Sequence, residues 1–293
     1  VITFRHYLTT IVAVFLALAV GIVLGGGPLS DVGDDSQSPA ASVEASSTPP
    51  GTYADGFAGA VGPTLTAGRL DGRAVAVVTM PGVNEETLTA LAEQVKGAGG
   101  TITKRYALTD QMVAPDQKAL VDTLGAQLMT QQGDAVAADA TTYDRIGQLL
   151  GLAVASTEPA GEEPSAKHAG ILDSLGGAGL VATEGDPARR APLVLLVLGD
   201  EPDAEGGDAI SAGLTAGLAR SAAGVVVAGT VADGGDGQLG RLRGEPVSAE
   251  VTTVDGIDVA AGRVTAVLAL ARSLDERGGA FGASGADGPV PLG

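Results

Sequence analysis

Four carboxylates fall within six positions, Asp200, Glu201, Asp203 and Glu205, and Asp233 and Asp236 follow among glycines. Carboxylates gathered on a loop are the ligand type of a hard cation such as Mg²⁺ or Ca²⁺. The competing reading is a solvated acidic loop in a chain whose formal net charge is −18. Met80, Met112 and Met129 are the soft donors of a chain that has no cysteine. Thioethers suit soft metals, but these three are far apart, form no Met-x-x-Met pattern, and two fall on expected core faces. Nucleophilic chemistry has little to work with, since no Gly-x-Ser-x-Gly elbow occurs. His168, in Ala166-Lys167-His168-Ala169, has no histidine or cysteine to pair with and reads as part of an exposed helix face. A phosphate cradle needs a glycine-rich turn from strand to helix. The run from Val231 to Gly237 is glycine-rich, but its aspartates repel phosphate, and Met80-Pro81-Gly82 stands where Gly-x-Gly-x-x-Gly would follow the first strand. Neither catalysis nor a resident cofactor is expected.

The elements that position these residues alternate in type. Ala74 to Thr79 is a continuous apolar run, the pattern of a strand buried on both faces. Asn84 to Ala98 has helical periodicity, with Asn84 as the cap and Gly99-Gly100 as the stop. Thr101–Leu108 reads as a strand. Pro115–Gln131 reads as a helix with Leu120, Leu124 and Leu128 on one face. Helices are expected at Tyr143–Ala155, Ser165–Leu175, Asp208–Ala222 and Val259–Arg277. Strands are expected at Leu180–Thr183, Pro192–Leu198, Gly224–Gly229 and Val251–Val254. Such alternation predicts an α/β fold with a doubly wound, mainly parallel sheet over residues 74–277. Ligands of such folds sit at the C-terminal ends of the strands, here the loops Thr79–Asn84, Gly199–Asp208 and Gly229–Leu239. Residues 278–293, rich in Gly, Ala and Pro, are expected to be a disordered tail.

Upstream of this domain, residues 8–25 carry no charge. Eighteen helical residues span roughly 27 Å, about the hydrocarbon thickness of a bilayer. Arg5 and His6 precede the run, and Asp31, Asp34 and Asp35 follow it. That asymmetry predicts a single transmembrane helix with residues 1–7 cytoplasmic and the α/β domain extracytoplasmic. A cleaved signal peptide is the rival, but Gly25-Gly26-Gly27-Pro28 supplies no A-x-A-like site. Ala13, Ala17, Gly21 and Gly25 recur every fourth residue, a groove through which two membrane helices approach closely. This favours a homodimer or contact with an envelope protein partner. Residues 26–51 have almost no bulky apolar side chain and read as a flexible stalk. Over 52–73, Tyr53, Phe57, Val61 and Leu65 at four-residue spacing predict a short amphipathic helix, weakened by Gly56, Gly59, Gly62 and Pro63.

Composition narrows the partners. With 35 acidic against 17 basic residues the surface repels phosphate backbones, so nucleic acid is excluded as a partner. With no cysteine, disulfides, thiolate metal sites and thiol catalysis are excluded together.

Three stretches carry a resemblance: Val1-Ile2-Thr3-Phe4-Arg5-His6 leading into the apolar run, Gly68-Arg69-Leu70-Asp71-Gly72-Arg73 before the first strand, and Val254-Asp255-Gly256-Ile257-Asp258 with Gly262-Arg263-Val264. Together they resemble the actinobacterial MctB-type copper-transport family. The resemblance implies a cell-envelope protein in copper export or homeostasis, with copper as the transported ion. A SteB-like branch of the family instead implies a scaffold that acts with a membrane partner in cell separation. Two features depart from the family. Its members continue the membrane helix as a coiled coil, which Gly26-Gly27-Pro28 breaks here. The chain also lacks the thiolate and thioether set that Cu(I) prefers, and one apolar helix conducts no ion alone.

Overall fold

The computed structural model describes residues 50–184, 189–201 and 206–292. The apolar run 8–25, with Ala13, Ala17, Gly21 and Gly25, lies outside the described residues, as do 26–49, Asp203 and Glu205. Among the described residues no helix is long and apolar enough to cross a membrane.

Seven strands form one sheet: β1 Ala74–Thr79, β2 Thr101–Leu108, β3 Val181–Glu184, β4 Leu193–Val197, β5 Gly224–Gly229, β6 Thr252–Asp255 and β7 Ala280–Phe281. Their order is β3-β2-β1-β4-β5-β6-β7. Every pairing is parallel except β2 with β3, where Leu108 faces Val181. The helices are α1 Pro50–Thr66, α2 Glu85–Gly97, α3 Asp110–Val113, α4 Lys118–Gln132, α5 Thr142–Val154, α6 Ala166–Gly177, α7 Gly207–Ala219, α8 Gln238–Arg243 and α9 Ala260–Arg272. The central strands β1, β4 and β5 are almost wholly apolar because both faces are covered. Val75, Val77, Leu193, Leu195 and Val226 join one core with Leu91 and Val95 of α2 and Val267 and Leu270 of α9. Their neighbours Ala76, Val78, Val194, Leu196 and Val227 point the other way, into a core with α4, α5, α6 and α7.

Local chemistry sets the helix ends. Asn84 accepts a hydrogen bond from the Thr87 N–H at 2.9 Å, and Gly99, at φ +89°, turns the chain after α2. Glu85 and Glu86 at the start and Lys96 at the end of α2 oppose its dipole. The closest helix pair is α5 with α7. A Cβ at Gly217 would lie 2.3 Å from the Gln148 nitrogen, and one at Gly147 would lie 2.5 Å from the Leu214 oxygen. Gly213 and Gly151 face Tyr143 and Ser221 in the same seam. The backbones therefore approach to a distance that only glycine permits.

Several expectations are corrected. The buried face of α4 is Val121, Gly125 and Leu128, and Leu120 is exposed. Gly125 is why: its bare Cα meets Ile146 of α5, which turns the small side of the helix inward. The last helix ends at Arg272, capped by Ser273. The segment from Gly278 is ordered rather than a disordered tail. It adds β7 to the sheet, buries Phe281 under the Arg272 guanidinium, and ties Ser284 N–H to Asp255 at 2.9 Å. Composition missed this because one anchoring aromatic and two backbone pairings suffice to hold a short glycine-rich segment.

Candidate functional site

The switch point of the sheet lies between β1 and β4, where a doubly wound fold offers a crevice. Here that crevice is closed by backbone. Met80 N–H donates to the Val197 carbonyl at 2.9 Å, and Asp200 N–H donates to the Pro81 carbonyl at 3.0 Å. A Cβ at Gly199 would sit 1.8 Å from the Pro81 oxygen, and one at Gly82 would sit 2.3 Å from the Asp200 carboxylate. These glycines let two loops meet, and the geometry leaves no room between them for a phosphate.

At this end Glu201, Asp208 and Asp233 are engaged in ion pairs and turns. Glu201 pairs with Arg241, whose Nε also donates to both carboxylate oxygens of Asp208 at 2.9 and 3.0 Å. The same guanidinium reaches the Asp236 carbonyl at 2.8 Å, so one cation ties two loop positions to the first turn of α7. Those hydrogen bonds raise the pKa of Arg241. Asp233 is buried, accepts from the Thr230 N–H at 2.6 Å and hydroxyl at 2.8 Å, and takes a third bond from Gln238 Nε2 at 2.7 Å. Among the described residues, no three His, Asp or Glu side chains gather where they could hold a metal ion.

Behind these loops lies a buried ion pair. Arg243 meets fully buried Asp255 at 2.7 Å. Its remaining donors reach Thr253 Oγ1 at 3.0 Å, Ser284 Oγ at 2.9 Å and the Phe281 carbonyl at 2.8 Å. The pair thus clamps the C-terminal segment to β6.

The methionines sit in apolar surroundings. Met80, at the end of β1, and Met112, in α3, belong to the core on the α5–α7 side, and Met129 of α4 packs against it. Met80 is 4% exposed and Met112 is fully buried. His168 is half-buried at the third position of α6, where its Nδ1 accepts from the Ser165 N–H at 3.1 Å and Ser165 Oγ accepts from the His168 N–H at 3.4 Å. This is a capping box in which imidazole takes the place of the usual carboxylate or amide. Burial lowers its pKa, helped by the Arg190 charge and opposed by Glu162.

A strongly apolar concavity lies elsewhere. An apolar cleft of about 310 Å³ opens between α1, α9 and the C-terminal segment, lined by Phe57, Val61, Leu65, Val264, Leu268 and Val290. The small side of α1 packs on α9: a Cβ at Gly62 would lie 2.5 Å from Val264. Asp55 of α1 caps α9 by accepting from the Ala260 N–H. The four-residue stripe of α1 therefore does not face the core. Tyr53 is 67% exposed, Phe57 57% and Leu65 47%, and Leu292 beside the cleft is 69% exposed. The Tyr53 and Phe57 rings stack with centroids 6.5 Å apart. The spacing located this helix. Its outward orientation was not legible, because it follows from the α1–α9 contact and from Pro289–Leu292 forming one wall.

The two resemblance motifs among the described residues are structural joints. Gly68 and Gly72 turn at φ +71° and +68° around buried Leu70. Gly256 turns at φ +96° after β6, and a Cβ at Gly262 would lie 1.9 Å from its oxygen. Arg263 donates to the Ile257 and Asp258 carbonyls, both at 3.0 Å, and Asp258 accepts from the Val231 N–H at 2.8 Å.

Comparison with known proteins bears on the whole chain. The family described as "Copper transport outer membrane protein, MctB" matches residues 1–291. A protein of Mycobacterium tuberculosis named "Copper transporter MctB" is 28% identical over 306 residues, covering 92% of each chain. One of Mycobacterium bovis with the same name has the same identity and coverage. A Mycobacterium leprae protein of that name is 27% identical over 300 residues, again covering 92% of each. With nearly its whole length matched, this chain belongs to the MctB family.

Proposed function

We propose that this protein serves copper transport or copper homeostasis at the cell envelope as a non-catalytic component, with copper as cargo rather than as a resident ligand. The observation that carries the reading is the family match over residues 1–291, and the relatives named copper transporters add to it. In this reading residues 8–25 anchor the chain in the membrane through one helix, and Ala13, Ala17, Gly21 and Gly25 contact a second helix in the bilayer. The α/β domain lies outside and acts on the protein that moves the ion. Two features support a supporting rather than a conducting role. Met80 and Met112 hold their thioethers inside the apolar core, and the acidic loop spends Glu201 on Arg241.

The test is complementation. Deletion should make cells copper-sensitive, and the wild-type chain should restore tolerance. A variant with Met80, Met112 and Met129 all changed to Leu should restore it equally. If that variant folds and fails, copper passes through the thioethers and the supporting role is wrong. If deletion leaves copper tolerance intact and impairs cell separation, the scaffold reading replaces the copper one. The exposed stripe of α1 favours that alternative, since a face of this kind recruits protein.

A further inference from the structure

A second cavity, of opposite character to the apolar cleft, lies on the α5–α7 side of the sheet. It opens between the turn after α4, the middle of α5 and the residues that follow α7, and its volume is about 400 Å³. Asp134, Gln148, Glu162, Arg190, Arg220 and Ser221 line it, and among the described residues no aromatic side chain does. Cavities of this size hold small molecules. Two properties of the lining select the ligand.

The first is a set of donors left without acceptors. Gln148 is 3% exposed. Its Oε1 accepts from the Ala137 N–H at 2.8 Å, which fixes the amide and leaves Nε2 buried with no acceptor among the described residues. A buried donor in that state is costly to keep. Arg190 is incompletely paired as well. Its Nη1 donates to Glu162 Oε2 at 2.7 Å, but its Nε is buried with no acceptor among the described residues. Burial lowers the Arg190 pKa by more than the Glu162 charge raises it, so the guanidinium gains from a second anion. Arg220 approaches Asp144 only to 3.8 Å, beyond hydrogen-bond distance. The second property is charge balance. In a chain of net −18, this lining carries two guanidiniums and two carboxylates. A lone anion meets Asp134 and Glu162, and a lone cation meets Arg190 and Arg220. A molecule that bears both charges is matched at both ends. Glu162 is held in place beforehand. The Ser156 hydroxyl donates to it at 2.8 Å, and its backbone pairs with that of Arg190 through N–H to carbonyl bonds of 2.8 and 3.1 Å.

We propose that this cavity binds a small zwitterion of the amino-acid or dipeptide type, with its carboxylate taken by Arg220 and the Gln148 amide and its ammonium by Asp134 and Glu162. With no aromatic wall among the described residues, a base or a sugar ring has nothing to stack on.

Isothermal titration calorimetry of the full chain in detergent tests this. The dipeptide alanyl-alanine should bind saturably. N-acetyl-alanyl-alanine, which lacks the ammonium, and alanyl-alanine amide, which lacks the carboxylate, should each bind about tenfold or more weakly. Arg220→Gln should weaken alanyl-alanine by about tenfold or more, while circular dichroism stays native because Arg220 is 60% exposed. Gln148→Met should weaken it similarly, and if that variant does not fold, Arg220→Gln alone decides. Absence of saturable heat with alanyl-alanine up to about 10 mM overturns the proposal. So does equal binding of the three peptides, or unchanged binding by the Arg220→Gln chain. Binding of inorganic phosphate without binding of the dipeptide overturns it too, because the site then takes a simple anion.

Discussion

Asp255 shows how much one buried carboxylate organises. It holds Arg243, and through Arg243 the carbonyl of Phe281 and the hydroxyl of Ser284. Removing one member of a buried pair leaves an uncompensated charge and costs about 3–5 kcal/mol. Arg243→Met should lower stability in urea by that order, and Arg243→Met with Asp255→Leu should recover much of the loss. A single-variant loss under about 1 kcal/mol would mean that other contacts hold the C-terminal segment. His168 gives a pH-dependent counterpart. Its folded pKa lies below the ordinary value, so the neutral ring is the form that folding favours. Its contribution is complete above the unfolded pKa near 6.5 and fades as pH falls through the lower folded value. His168→Ala should cost about 0.5–1 kcal/mol at neutral pH, and the difference from wild type should shrink as the solution is acidified. His168→Gln should retain the box and remove that dependence, read as melting temperature against pH.

At the scale of elements, the α5–α7 seam makes two glycines indispensable, whereas a glycine of α6 is free. Gly217→Ala or Gly147→Ala places a methyl 2.3–2.5 Å from facing backbone atoms that cannot rotate away. Overpacking of this kind costs typically about 1–3 kcal/mol. Gly170 in α6 meets nothing within 4 Å. Gly170→Ala should instead stabilise by about 0.5–1 kcal/mol, the ordinary helix-interior gain. Thermal unfolding of the three variants distinguishes a seam fixed by close approach from glycines that are merely frequent. The central strands were legible as apolar runs of five or six residues, since nothing else explains Leu193–Val197 or Gly224–Gly229. The face of α4 was not legible, because the choice between Leu120 and Val121 is made by Ile146, a residue on another helix.

For the whole molecule, a net charge of −18 opposes compaction. Raising ionic strength from about 0.01 to about 0.15 M shortens the Debye length from about 30 to about 8 Å. Thermal stability should therefore rise with salt, seen as a higher melting temperature of the detergent-solubilised chain. A fall with salt would show that surface ion pairs such as Arg241 with Glu201 outweigh the overall repulsion. The C-terminal segment belongs to the same scale, because it completes both the sheet and the cleft. Truncation after Arg277 removes β7, exposes the partners of Phe281 and deletes the Val290 wall. It should lower stability, read as a lower melting temperature.

Sequence alone determined the class of fold, the acidic character and the family resemblance. Hydrophobic period and charge are properties of single segments, and the two described resembling motifs turn at glycines that are needed locally. It also marked Tyr53, Phe57, Val61 and Leu65 as one stripe. Tertiary structure decided which way that stripe faces, that the loops at the switch point close on each other, and that Glu201 and Asp233 are bound by neighbouring groups. Those outcomes depend on contacts between residues far apart in the chain, such as Gly62 with Val264 and Arg243 with Asp255. Periodicity reports that a face is apolar, and only packing determines whether the protein covers it.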